Sequence, residues 1–191
     1  MSERKLTGLR RRLLWVALAV VVVLAIPAGA ALFIYDGVYD IGADAPHTKP
    51  VFWAISQLRD RSIAVRARGI APPADLAAPS RIATGAGLYD KLCTSCHLAP
   101  KMKKTDLSKG LYPKPPPLAY GTDLTPSQEF WILKHGIKLT AMPSWGRTHS
   151  DDELWDIVAF LKKMPDMDPA QYQAAAAGAA AAAGAAAAAA K

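Results

Sequence analysis

Apolar residues run unbroken from Leu13 to Tyr35, punctuated only by Pro27 and Gly29. At helical rise those 23 residues span roughly 35 Å, enough for the hydrocarbon core of a bilayer. Polarity then changes abruptly. Residues 36–49 hold Gly37, Gly42, Pro46 and three aspartates, a composition of ordered turns. Pro50 opens a segment with Val51, Ile55, Leu58, Ser62 and Val65 at helical spacing, which predicts an amphipathic helix ending near Gly69. Such a helix packs on a neighbouring domain, or lies on a membrane face or partner with Phe52 and Trp53 as anchors. Prolines between Pro72 and Pro79 predict a stiff linker and a boundary near residue 79.

From Ser80 onward no period-two alternation stands out, and the pattern is short and helical. One helix is expected over Ile82–Leu92. Residues 101–120 are rich in proline and lysine and read as a loop that neither helix nor sheet would accept. Thr125-Pro126 supplies an N-cap and a first-position proline for a helix through His135. Ser150 with Glu153 forms a capping box ahead of an apolar face of Leu154, Ile157, Val158 and Leu161. Residues 174–190 are 15 alanines and 2 glycines, which favour helix but carry no side chains with which to specify packing. The pattern therefore predicts an all-α chain in four parts. These are a basic end and transmembrane anchor (1–35), an exported connector (36–79), a helical domain (80–170) and an Ala-rich low-complexity tail (171–191).

Charge orients the anchor. Arg4, Lys5, Arg10, Arg11 and Arg12 precede the apolar run, whereas Asp36, Asp40 and Asp44 follow it, which places the N-terminus in the cytoplasm and the rest outside. Ala28-Gly29-Ala30 offers a signal-peptide cleavage site, but the apolar residues that continue through Tyr35 favour an uncut anchor. Net charge is +7, with five basic residues in the first twelve positions. That basicity is mostly a topology signal, and it gives no reason to expect nucleic acid as a partner.

The chemistry sits at residues 93–97, Cys-Thr-Ser-Cys-His, which hold the chain's only two cysteines. Two intervening residues carry Cys93 and Cys96 across about one helical turn, so each sulfur can form a thioether with one of two haem vinyl groups. His97 then arrives as proximal iron ligand. A thioredoxin-like redox pair would need an α/β scaffold, and a structural zinc site would need a second ligand pair; neither pattern is present. One such motif implies one covalent haem c. For the sixth iron position the candidates are Met102, Met142, Met164, Met167, His47, His135 and His149. Met142 is favoured. It stands between Ala141 and Pro143 in an inter-helix loop, 45 residues beyond His97, far enough for the chain to round the porphyrin and return on the other face.

From about Gly85 to Lys163 the chain resembles the class I cytochromes c. Gly85, Tyr89 and Cys93 stand four apart, as in that family's first helix, and residues 156–163 look like its last. The resemblance implies close crossing of these helices at Gly85, with Tyr89 against Ile157 and Phe160. It further implies that Pro116, in Pro116-Pro117-Leu118, accepts the Nδ1–H of His97, and that Ala141-Met142-Pro143 is the axial-methionine loop. Alanine stands there where glycine is frequent.

The expected function is single-electron transfer by a membrane-anchored monohaem cytochrome of a bacterial inner membrane, as a complex subunit or tethered carrier of a respiratory chain. The haem domain would be periplasmic. Its partner would be a periplasmic dehydrogenase, a quinol-oxidising complex or a terminal oxidase. The alternative is a peroxidase-like or small-ligand haem enzyme with a displaceable sixth ligand, served by His135 or His149. Trp131, Trp145, Tyr112 and Tyr120 are candidate pocket walls. Lys91, Lys101, Lys103, Lys104, Lys114 and Lys138 could steer an acidic partner.

Overall fold

The computed structural model describes residues 3–189. About 66% is helix, with no strand among the described residues. Contacts divide the chain into two compact units, Met1–Ala45 and Pro46–Lys191. The first holds helix α1 (Glu3–Tyr35) and a turn region. Over Gly8–Tyr35 α1 is long and apolar enough to cross a membrane, and its apolar side chains are exposed.

The second unit is built from α2 (Lys49–Arg66), α3 (Pro79–Leu92), α4 (Thr94–His97), α5 (Asp106–Gly110), α6 (Pro126–His135), α7 (Asp151–Lys163) and α8 (Pro169–Ala189). The segment expected as a connector thus lies, from Pro46 on, in the same unit as the helices that follow it.

The α3–α7 pair is the centre of this unit. Ser150 and Glu153 cap α7 reciprocally, and the helix buries Leu154, Ile157, Val158, Phe160 and Leu161. Full burial of each large apolar side chain stabilises by about 1.5–3 kcal/mol. The helices approach so closely at Gly85 that a Cβ there would overlap the Asp156 backbone carbonyl. Tyr89, one turn on, is fully buried with its ring 5.5 Å from that of Phe160. Arg81 Nη1 donates to Asp156 Oδ1 at 2.8 Å and closes the other end of the crossing.

Two expectations need correction. Residues 101–120 are not wholly irregular, because α5 and a single helical turn at Leu118–Tyr120 lie within them. The Thr105 side chain accepts from Ser108 N, and that cap suffices to hold one turn despite the nearby prolines. The Ala-rich stretch does pack. Tyr172 at the start of α8 is buried, its hydroxyl donating to Asp90 Oδ1 (2.9 Å) and pairing with Thr94 Oγ1 (2.8 Å). Further along, Ala179 lies against Gly87 of α3. One anchored tyrosine and small residues on both faces let two backbones approach, which alanine composition alone does not reveal.

Candidate cofactor site

Cys93 ends α3, and its backbone N–H still donates to Tyr89 O at 2.9 Å, so the motif is a direct continuation of a core helix. Thr94 to His97 make the single turn α4. Beyond His97 the chain must turn sharply, and Leu98 does so with φ +66°, a left-handed conformation unusual for a residue with a side chain. The buried Tyr89 hydroxyl donates to Leu98 O at 2.7 Å and holds the turn, whose strain costs about 1–3 kcal/mol.

His97 Nδ1 lies 2.9 Å from Pro116 O. A carbonyl can only accept, so Nδ1 carries the proton and Nε2 is the nitrogen left with a lone pair for a metal. Burial pushes the imidazole below its ordinary pKa, against the opposing pull of the Pro116 carbonyl. Cys93 is buried, and burial, then Cys96, push its thiol up to about 12. That is the reverse of the lowered pKa that activates redox C-x-x-C pairs.

Met142 is delivered by the loop after α6. Gly136 ends that helix with φ +66° and ψ −171°, where a side chain is strained, and a Cβ there would also sit 2.7 Å from Met142 O. Glycine lets the loop fold back on the helix end. The return is fastened by Ile137 N to Met142 O (3.2 Å), Met142 N to Thr140 Oγ1 (3.1 Å) and Ser144 Oγ to Lys134 O (2.7 Å).

Cys93, Cys96, His97, Pro116 and Met142 all line one cavity of about 420 Å³, mostly apolar, with Ile132, Leu133 and Leu161 among its walls. Its volume falls within the 300–1,000 Å³ range of cofactor sites. The other sixth-ligand candidates lie elsewhere. Met164 is fully buried in the core, Met167 packs on that core and Met102 is exposed. His135 is exposed beside Trp131, and His149 Nδ1 pairs with Thr148 Oγ1. His47 meets Tyr112 edge-on at 5.1 Å. Of the candidate aromatic walls only Trp145 lines the cavity, and Tyr120 points outward at 77% exposure.

Three charged residues on the cavity wall escape a reading by motif, Arg59 and Asp60 of α2 and Glu129 of α6. Glu129 is buried, with Oε1 held by Lys162 Nζ (2.8 Å) and Thr122 Oγ1 (2.5 Å), while Oε2 has no partner among the protein groups. An acid directly ahead of the apolar run Phe130-Trp131-Ile132-Leu133 is the one sequence hint of it. Nothing in the sequence marks Arg59.

An all-helical domain with this motif and cavity is consistent with a monohaem class I c-type cytochrome. Residues 80–161 match the family model described as cytochrome C oxidase, cbb3-type, subunit III, a match that supports a c-type cytochrome. No curated protein matches the chain. No solved structure matches it either. The family implies a covalently bound haem c. The donors round the cavity suit that group chemically, with two thiols, one Nδ1-anchored imidazole and one thioether on apolar walls.

Proposed function

We propose that this chain is a membrane-anchored, monohaem c-type cytochrome that passes single electrons on the periplasmic face of a bacterial inner membrane. It works as a subunit or tethered carrier within a respiratory chain. The observation that carries this reading is the convergence of Cys93, Cys96, His97 and Met142 on one apolar cavity. Haem c, when bound, supplies a one-electron Fe(III)/Fe(II) couple.

The chain's own residues tune and limit that chemistry. Cys93 and Cys96 would hold the group by two thioether links. His97 would be the iron ligand, and its hydrogen bond to Pro116 O (2.9 Å) fixes the ring and would raise its basicity. The Met142 thioether would be a soft ligand that favours the reduced iron and so would raise the potential. With His97 and Met142 both serving as ligands, the protein itself would fill the iron's open sites and leave none for a substrate.

Anchoring is supported by exposed apolar residues over Gly8–Tyr35 and by Arg10, Arg11 and Arg12 ahead of the apolar run. The matched family's description names an oxidase subunit, which makes a terminal oxidase the first partner to test. A quinol-oxidising complex or periplasmic dehydrogenase comes next.

The test is spectroscopy of the full chain purified in mild detergent. The expected result is haem retained through denaturing electrophoresis and six-coordinate low-spin iron in both oxidation states. A high-spin spectrum with rapid peroxide turnover would overturn the carrier reading in favour of a haem enzyme. Copurification at a fixed ratio with an oxidase supports a resident subunit, and isolation alone supports a tethered carrier.

A further inference from the structure

The cavity wall is not supplied by the matched domain alone. Arg59 and Ile63 stand one helical turn apart on α2 and both line it, although α2 lies wholly before residue 80. This is a docked helix. Ile63 is 5% exposed, Ser127 Oγ donates to Ile70 O at 2.7 Å just beyond α2, and His47 N donates to Tyr112 Oη at 2.9 Å just before it.

Arg59 is placed as half of an ion pair with room for another anion. Its Nε donates to Asp60 Oδ1 at 2.7 Å, its one hydrogen bond within the described residues, and this leaves both Nη groups free. The side chain is 39% exposed. The negative groups on the wall are Asp60, already on Nε, and Glu129, already matched by Lys162. Lys114 is the other cation there, but it is exposed and sits in the proline segment beside Pro116. Haem carries two propionate carboxylates, and a carboxylate at the mouth of an apolar cavity needs a counter-charge. A guanidinium fork held at Nε and open at both Nη atoms meets that need with charge-assisted hydrogen bonds.

We propose that Arg59 binds a haem propionate, so that α2 belongs to the cofactor site and is not merely a spacer between anchor and haem domain. The proposal rests on the haem reading above. It assigns Arg59 a positioning and tuning role. A cation beside the cofactor disfavours the more positive Fe(III) form and holds the potential up.

The test is the midpoint potential of the full-length holoprotein at neutral pH and low ionic strength, with optical spectra of both oxidation states. Arg59→Gln should lower the potential by about tenfold in the redox equilibrium constant, about 59 mV for one electron. Its low-spin spectrum should be unchanged. Arg59→Lys should keep part of the effect, because the charge remains and the fork is lost. Asp60→Asn removes a negative charge and should move the potential slightly upward. Arg61→Gln, on an exposed position of α2 off the cavity wall, should leave it unchanged. An Arg59→Gln potential equal to wild type overturns the proposal, as does an equal fall in Arg61→Gln. A fall accompanied by a disturbed axial-ligand spectrum overturns it too, since the effect would then be structural. Failure of the haem reading is distinguishable, because the unsubstituted chain would then carry no covalent haem.

Discussion

The Cys93–His97 bank of the cavity is bolted to the domain core, whereas the Met142 bank hangs from the end of one helix. On the first bank, Cys93 continues α3, the fully buried Tyr89 holds Leu98, Tyr172 of α8 holds Thr94, and Thr105 holds Ser95 O. Partners come from three separated stretches of chain. On the second bank, the bonds that shape the Met142 loop reach only from Lys134 to Ser144. Burying many partners from distant segments makes local opening costly, while a loop closed on itself opens at low cost. Cofactor attachment should therefore be the rigid property of this protein, and the sixth ligand the adjustable one.

The largest expected effect comes from Gly85→Leu. The clash falls on the Asp156 backbone carbonyl, which no rotamer change can relieve, so α3 and α7 must part. Both banks should fail together, with loss of the cooperative thermal transition followed by circular dichroism.

Met142→Ala should separate the banks. Haem should stay covalently attached while the iron becomes high-spin or water-bound and reactive toward carbon monoxide in solution. Met142→His should restore low-spin iron at a lower potential, within the roughly 0.8 V that axial ligands span. A wild-type spectrum for Met142→Ala would refute the assignment of Met142.

Gly136→Val is the subtler form of the same experiment. Its positive φ and the nearby Met142 carbonyl both resist a side chain, so the loop should shift while the first bank is untouched. A partial loss of the low-spin signal, with a stability cost of about 1–3 kcal/mol, is expected in spectra and denaturant titrations.

Ser150→Ala should have the smallest effect, about 1 kcal/mol from loss of an N-cap, with the spectrum unchanged. The Ser150 backbone N–H, then its hydroxyl, hold the Glu153 carboxyl below its usual pKa. A depressed folded pKa contributes stability that is complete above the ordinary carboxylate pKa. That stability is lost as pH falls through the lowered value. Alanine keeps the backbone N–H and removes only the hydroxyl, so this part of the acid limb should flatten in part in melts across that range.

Local chemistry written in neighbouring residues was legible in the sequence. The capping box at Ser150–Glu153, the start of α6 at Thr125–Pro126 and the helical character of residues 82–92 depend on contacts three or four residues apart, so each segment carries its own instructions. The apolar run ending at Tyr35 is legible for a similar reason, because membrane-spanning length is a property of one uninterrupted stretch. The attachment motif is compact for a covalent reason, since two sulfurs and an imidazole must serve one small group. Long-range placement was not legible. That α8 docks through Tyr172 and that Arg59 and Glu129 reach the cavity wall depend on which surfaces meet. Tyr172 meets Asp90 across 82 positions, and Lys162 meets Glu129 across 33. An exposed helix face and a cavity wall can share the same polar and apolar pattern until a partner helix covers one of them, so only the folded chain assigns their roles.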